Sequence, residues 1–139
     1  MKNETTNNEL LLSVQDLEVD YSSGGSTVRA VNGVSFDLHQ GESLGLVGET
    51  GAGKTTIAKS IMQILPDHAT KRVAGEIFFK NQDLMQMKEK ELQNIRGSQI
   101  SMVFQDPMTA LNPVMTVGEQ IAEGIRHHQH LDKAHAKQA

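Results

Sequence analysis

Between Leu10 and Val19 the apolar residues recur at Leu12, Val14, Leu17 and Val19. Spacing of two marks a strand with one face covered, and the step of three after Val14 predicts one slip of register. Tyr21 follows, and then Ser22-Ser23-Gly24-Gly25-Ser26, a composition that predicts a flexible turn. Beyond it Val34, Phe36 and Leu38 alternate with Ser35, Asp37 and His39, which predicts a half-buried, antiparallel strand. Residues 1–9, rich in Asn, Thr and Glu, read as a disordered lead-in.

The pattern changes at Gly41. Leu44-Gly45-Leu46-Val47 is nearly unbroken apolar sequence, which predicts a strand covered on both faces. After residues 48–53, Ile57, Ala58, Ile61, Met62 and Leu65 fall at helical spacing until Pro66 stops the helix. Gly75 to Lys80 predicts another strand, closed by a turn at Asn81-Gln82-Asp83. Lys88 to Arg96 predicts a short helix ending near Gly97. Ile100 to Phe104 predicts a second strand of the buried type, with Gln105 at its end. Thr116 and Glu119 fit a capping box, opening a helix with Val117, Ile121 and Ile125 on one face.

With 139 residues, 37% hydrophobic and 22% charged, the chain has the size and balance of about one globular domain. The net charge is −4 and no basic stripe appears, so nucleic acid is not an expected partner. The absence of cysteine excludes disulfide scaffolds, thiolate metal sites and cysteine nucleophiles. The N-terminus lacks the basic start and apolar core of a signal peptide, and no apolar run approaches a membrane span. His127, His128, His130 and His135 cluster near the end; without a supporting carboxylate or thiolate framework they read as a solvated helix face.

Candidate chemistry concentrates at Gly48-Glu49-Thr50-Gly51-Ala52-Gly53-Lys54-Thr55, which matches G-x-x-x-x-G-K-S/T without a gap. Glycines let the main chain wrap closely around an anion. The amides of Gly51 to Thr56 can then point inward at the positive end of a helix dipole. Lys54 is the candidate for the β- and γ-phosphates of a nucleotide, and the Thr55 hydroxyl for Mg²⁺. A chance glycine turn lacks the predicted strand before it and the amphipathic helix after it. The expected ligand is ATP with Mg²⁺.

The flanks resemble the ATPase subunits of ABC transporters. Tyr21 lies ahead of the loop, as does that family's adenine-stacking aromatic. The β-rich residues 10–40 correspond to its antiparallel subdomain, Gly75-Glu76-Ile77 to its "G-x-I" strand, and Gln105 to its Q-loop glutamine. The stretch Phe104-Gln105-Asp106-Pro107-Met108-Thr109-Ala110-Leu111-Asn112-Pro113 is similar to the oligopeptide, dipeptide and nickel importer branch. The resemblance implies an α/β fold: a P-loop NTPase core with an N-terminal antiparallel β subdomain, truncated before the later core strands. Residues 10–139 then form a partial nucleotide-binding domain. The resemblance also implies a role for Gln105 on Mg²⁺ or the attacking water, with Lys54 in the catalytic set.

That family also carries an apolar run ending in Asp-Glu, an LSGGQ signature and a switch histidine, and none of these occurs here. Ser23-Gly24-Gly25 precedes the loop and leads into a strand, so it is not the signature. The chain therefore reads as an N-terminal half that binds ATP without hydrolysing it. The implied partners are transmembrane permease subunits and a second ATPase protomer, without direct cargo contact, at the cytoplasmic face of the inner membrane. A soluble, non-transport ABC ATPase and a non-catalytic nucleotide-binding fragment remain as alternatives.

Overall fold

The computed structural model describes residues 9–104 and 111–129. They fall into two compact units that meet in sequence between Leu92 and Gln93. The first is built on an antiparallel sheet: β1 (Leu10–Ser23), β2 (Ser26–His39), β3 (Thr70–Phe79) and β4 (Gln82–Asp83), in the order β2-β1-β3-β4. Helix α1 (Lys54–Ile61) lies between β2 and β3 in sequence. Helix α2 (Glu89–Ile95) follows β4 and runs across the boundary, and α3 (Val117–Gln129) belongs to the second unit.

The first hairpin turns within the expected segment 22–26, but β2 begins at Ser26, earlier than the expected Val34. Gly24 and Gly25 take φ of 56° and 83°, the left-handed pair that a two-residue turn between twisted strands requires. Side chains from alternate positions of β1 then make the core: Val14, Leu17 and Val19 are buried, joined by Ile77 and Phe79 of β3 and by Leu84. Burying a Val or Leu side chain contributes roughly 1.5–3 kcal/mol, so this row is the main source of the unit's stability.

The slip between Val14 and Leu17 is a bulge. Val14 pairs with Phe36 and Leu17 with Val34, so β1 holds one residue more than β2 over that span. Asp16 takes φ of 47° there. On the other side of β1, Gln15 pairs with Glu76 and Glu18 with Ala74, which leaves Gly75 facing the bulge. A β-carbon on Gly75 would lie 2.5 Å from the Gln15 carbonyl oxygen and 2.6 Å from that of Asp16. Only glycine fits.

Several expectations need correction. Residues 42–49 form no strand: Leu44 and Leu46 are about half exposed and Val47 is 98% exposed. Ile100 to Phe104 form no strand either, beyond one isolated bridge from Ile100 to Arg96, and Val103 is 95% exposed. Strands of this type are stabilised by parallel neighbours reached through crossovers, and among the described residues no strand pairs with either segment. Helix α1 ends at Ile61, earlier than Pro66, because Gln63 turns into the left-handed region at φ 52°. Strand β3 begins at Thr70, earlier than Gly75, and its closing turn sits at Lys80 and Asn81, with Gln82 and Asp83 pairing back.

The expected capping box is formed. The Glu119 amide donates to the Thr116 hydroxyl at 3.3 Å, and the Thr116 amide donates to the Glu119 carboxylate at 3.2 Å. Val117 and Ile121 on the apolar face of α3 are nonetheless exposed, while Ala122 is buried. Helix α2 ends as expected just before Gly97, which takes φ of 81°. Residues 1–8 of the expected lead-in, and residues 130–139, lie outside the described residues.

Candidate functional site: the glycine loop

Residues 48–53 run without regular structure into α1, whose N-cap is Gly53 in the left-handed conformation, φ 83° and ψ 0°. Gly53 makes no side-chain capping bond and the first turn has no acidic residue. The opening amides of α1 therefore meet no competing side-chain acceptor from their own cap, the arrangement that suits an anion at a helix N-terminus. The helix is anchored from below by Ile57, which is buried, and by the Ser60 hydroxyl, which donates to the Thr56 carbonyl at 2.8 Å.

Lys54 folds back over the loop. Its ammonium donates to the carbonyl of Gly48 at 2.6 Å and to that of Glu49 at 2.7 Å. These bonds hold the start of the loop against the start of the helix, so the charge stands in the curve of the loop. The Ala52 amide donates to the Glu49 carbonyl at 3.1 Å and tightens the turn between them. Thr50, Gly51 and Thr55 are exposed, and Thr56 is half-buried. Thr55 stands in the first turn of α1.

One glycine of the loop, Gly53, is sterically required, and Gly48 is tightly placed. A β-carbon on Gly48 would sit 3.0 Å from the Ala52 β-carbon. A β-carbon on Gly53 would collide with the carbonyl oxygen of Ala30 and come within 3.5 Å of Val31 Cγ2. The loop is thus seated on β2. This is a cradle that side chains would fill, and it fits a phosphate-bearing ligand.

Tyr21 lies on β1, half-buried, paired with Val28 of β2 and Thr70 of β3. Two residues back, Val19 pairs with Val31, the residue that Gly53 approaches. The sheet therefore links Tyr21 to the loop through one pair of strands. Gln105 lies outside the described residues. Among the described residues no cluster of His, Asp or Glu could hold a metal. Ala30 was not legible as a site residue, because its contribution is a backbone carbonyl placed by strand register.

Over residues 31–139 the sequence matches the family model described as ABC transporter. The chain belongs to the ABC transporter family. Among curated relatives of this ABC chain, the dipeptide transport ATP-binding protein DppD of Bacillus subtilis is 50% identical over 129 residues, 93% of this chain and 38% of that protein. The oligopeptide transport ATP-binding protein OppD of Escherichia coli is 44% identical over 92% of this chain and 37% of its own length. The chain thus spans less than two-fifths of the length of these relatives. Among solved structures, the dimeric ATP-binding cassette MJ0796 bound to ADP and Pi matches with a TM-score of 0.76 at 21% identity, covering 92% of this chain and 53% of that one. The fold is therefore that of an ABC cassette. The described residues supply its antiparallel sheet and the glycine loop that leads into α1. No helix among them is long and apolar enough to cross a membrane.

Proposed function

We propose that the loop from Gly48 to Thr56 binds Mg-ATP and that the chain is the nucleotide-binding part of an ATPase driving peptide import. The observation that carries the reading is the cradle: Gly53 pressed on Ala30, with the Lys54 ammonium held inside the loop. In this reading Lys54 neutralises the β- and γ-phosphates, and the amides of Gly51 to Thr56 hold their oxygens. Glu49, Thr50 and Ala52 contribute main chain to the curve. The Thr55 hydroxyl takes one position on Mg²⁺, the adenine stacks on Tyr21, and Gln105 contributes to the metal or the attacking water. Magnesium supplies charge neutralisation for phosphoryl transfer.

Peptide cargo is favoured over nickel by the names of the relatives, which specify dipeptide and oligopeptide transport. The proposed partners are permease subunits at the cytoplasmic face of the membrane and a second ATPase protomer. Hydrolysis requires a general base and a signature motif that are not found in these 139 residues. The chain by itself accordingly binds ATP without turning it over.

Calorimetry with Mg-ATP tests the proposal. Lys54→Ala removes a charge-assisted bond worth about 1.5–3 kcal/mol, so affinity falls roughly 10- to 150-fold. Unchanged uptake in that variant refutes the assignment of the loop. Steady phosphate release by the purified chain, lost in Lys54→Ala, refutes the proposed inactivity.

A further inference from the structure

A further bulge lies in β2, next to the loop. Val19 pairs with Val31 but Asp20 pairs with Arg29, which leaves Ala30 as an extra residue with no partner in β1. Bulges of this kind bend a strand and re-aim what it carries, and they recur beside functional sites. Here the carbonyl of the extra residue is the group against which Gly53 is seated.

The bulge is clasped by side chains. The Arg29 guanidinium donates through Nε to the Asp20 carboxylate at 3.2 Å, and through Nη1 to the Asn32 side-chain oxygen at 3.2 Å. One cation thus ties the strand before the bulge, the strand after it, and β1 opposite. Asp20 is buried, an uncommon location for a carboxylate, and the Arg29 bond satisfies it. Tyr21 follows Asp20 directly. Whatever fixes Asp20 to Arg29 therefore fixes the start of the Tyr21 side chain relative to Ala30, and through Ala30 relative to Gly53.

Resting on the reading of the loop and Tyr21 as phosphate and base seats, we infer that the clasped bulge at Ala30 sets the distance between those two seats. Asp20, Arg29 and Asn32 are then positioning residues. They touch neither base nor phosphate, and they act by holding Tyr21 in register with the loop. The prediction separates two ligands. Mg-ATP engages both seats, whereas Mg-tripolyphosphate engages the loop alone.

Calorimetry of the full chain with each ligand supplies the test. Arg29→Ala is expected to weaken Mg-ATP by about tenfold, the scale of one base-stacking contact, and to leave Mg-tripolyphosphate within about twofold. Asn32→Ala frees one arm only, keeps Asp20 paired, and gives a smaller loss in the same direction, which covers the case that Arg29→Ala misfolds. In a Tyr21→Ala background, Arg29→Ala is expected to cost nothing more for Mg-ATP. Equal losses for both ligands, or a loss that adds in full to that of Tyr21→Ala, overturn the inference while leaving the loop assignment intact. If the unaltered chain binds neither ligand, or Lys54→Ala changes neither, the loop assignment itself fails, and the inference with it.

Discussion

Leu17 and Val19 are fully buried, while Val47, no less apolar, is almost wholly exposed. The two segments differ in how their backbones find partners. Strand β1 meets β2 across a two-residue turn, so one of its edges is paired within the hairpin, and β3 pairs with the other edge and helps cover its apolar face. Leu44 to Val47 has the composition of a strand flanked by parallel neighbours, and no described residue offers one. The glycine loop that follows is shaped all the same, by turn bonds, by Lys54 and by the seat on Ala30. Local chemistry is enough for the cradle, whereas a central strand depends on its neighbours.

That contrast can be broken by mutation. Leu17→Ala is expected to cost about 2–5 kcal/mol in urea unfolding, because it opens a cavity in a row without exposed surface. A cost below 1 kcal/mol would mean that the hairpin is not the stabilising element. Gly75→Ala comes next. Its φ of 102° and the two carbonyls opposite allow no β-carbon, so a loss of about 1–3 kcal/mol is expected, with reduced amide protection around Asp16.

At Val47 the comparison sharpens from the other side. Val47→Ser is expected to change stability by no more than about 0.5 kcal/mol, and to lower light scattering at high protein concentration. A large destabilisation there would show that the segment is packed. The smallest effect belongs to Glu42, whose carboxylate accepts from the His39 amide at 2.8 Å and lies 3.2 Å from its ring. The backbone bond, and then the side-chain bond, lower its pKa below the ordinary carboxylate value. A lowered native pKa contributes stability above the unfolded pKa and loses it as pH falls through the native one. A carbon-detected NMR titration should place Glu42 below a free glutamate. His39→Ala should move it only part of the way back, since the backbone donor survives.

Much of the antiparallel part was legible because its signals are local. The three-residue step from Val14 to Leu17 marks the Asp16 bulge, Gly24-Gly25 marks the turn, and Thr116 with Glu119 marks the cap. The turn of the glycine loop into α1 was legible for the same reason. The start of β3 was not, because Thr70 to Ala74 has no clean alternation and is held by pairing with β1 some fifty residues away. Nor was the early end of α1, where Gln63 leaves the helix despite the apolar spacing that continues to Leu65. Leu44 to Val47 and Ile100 to Phe104 carry the apolar content of strands, but an apolar run does not specify a partner. Ala30 escaped because a carbonyl has no signature in a side-chain pattern.

The half-buried position of Tyr21 has a practical consequence. The chain has one tyrosine and no tryptophan, so its tyrosine fluorescence comes from that ring alone. A purine laid over the ring would quench it, and a triphosphate without a base would not. The protein carries its own fluorophore at the point where base recognition is assigned, and titration in a cuvette needs no label.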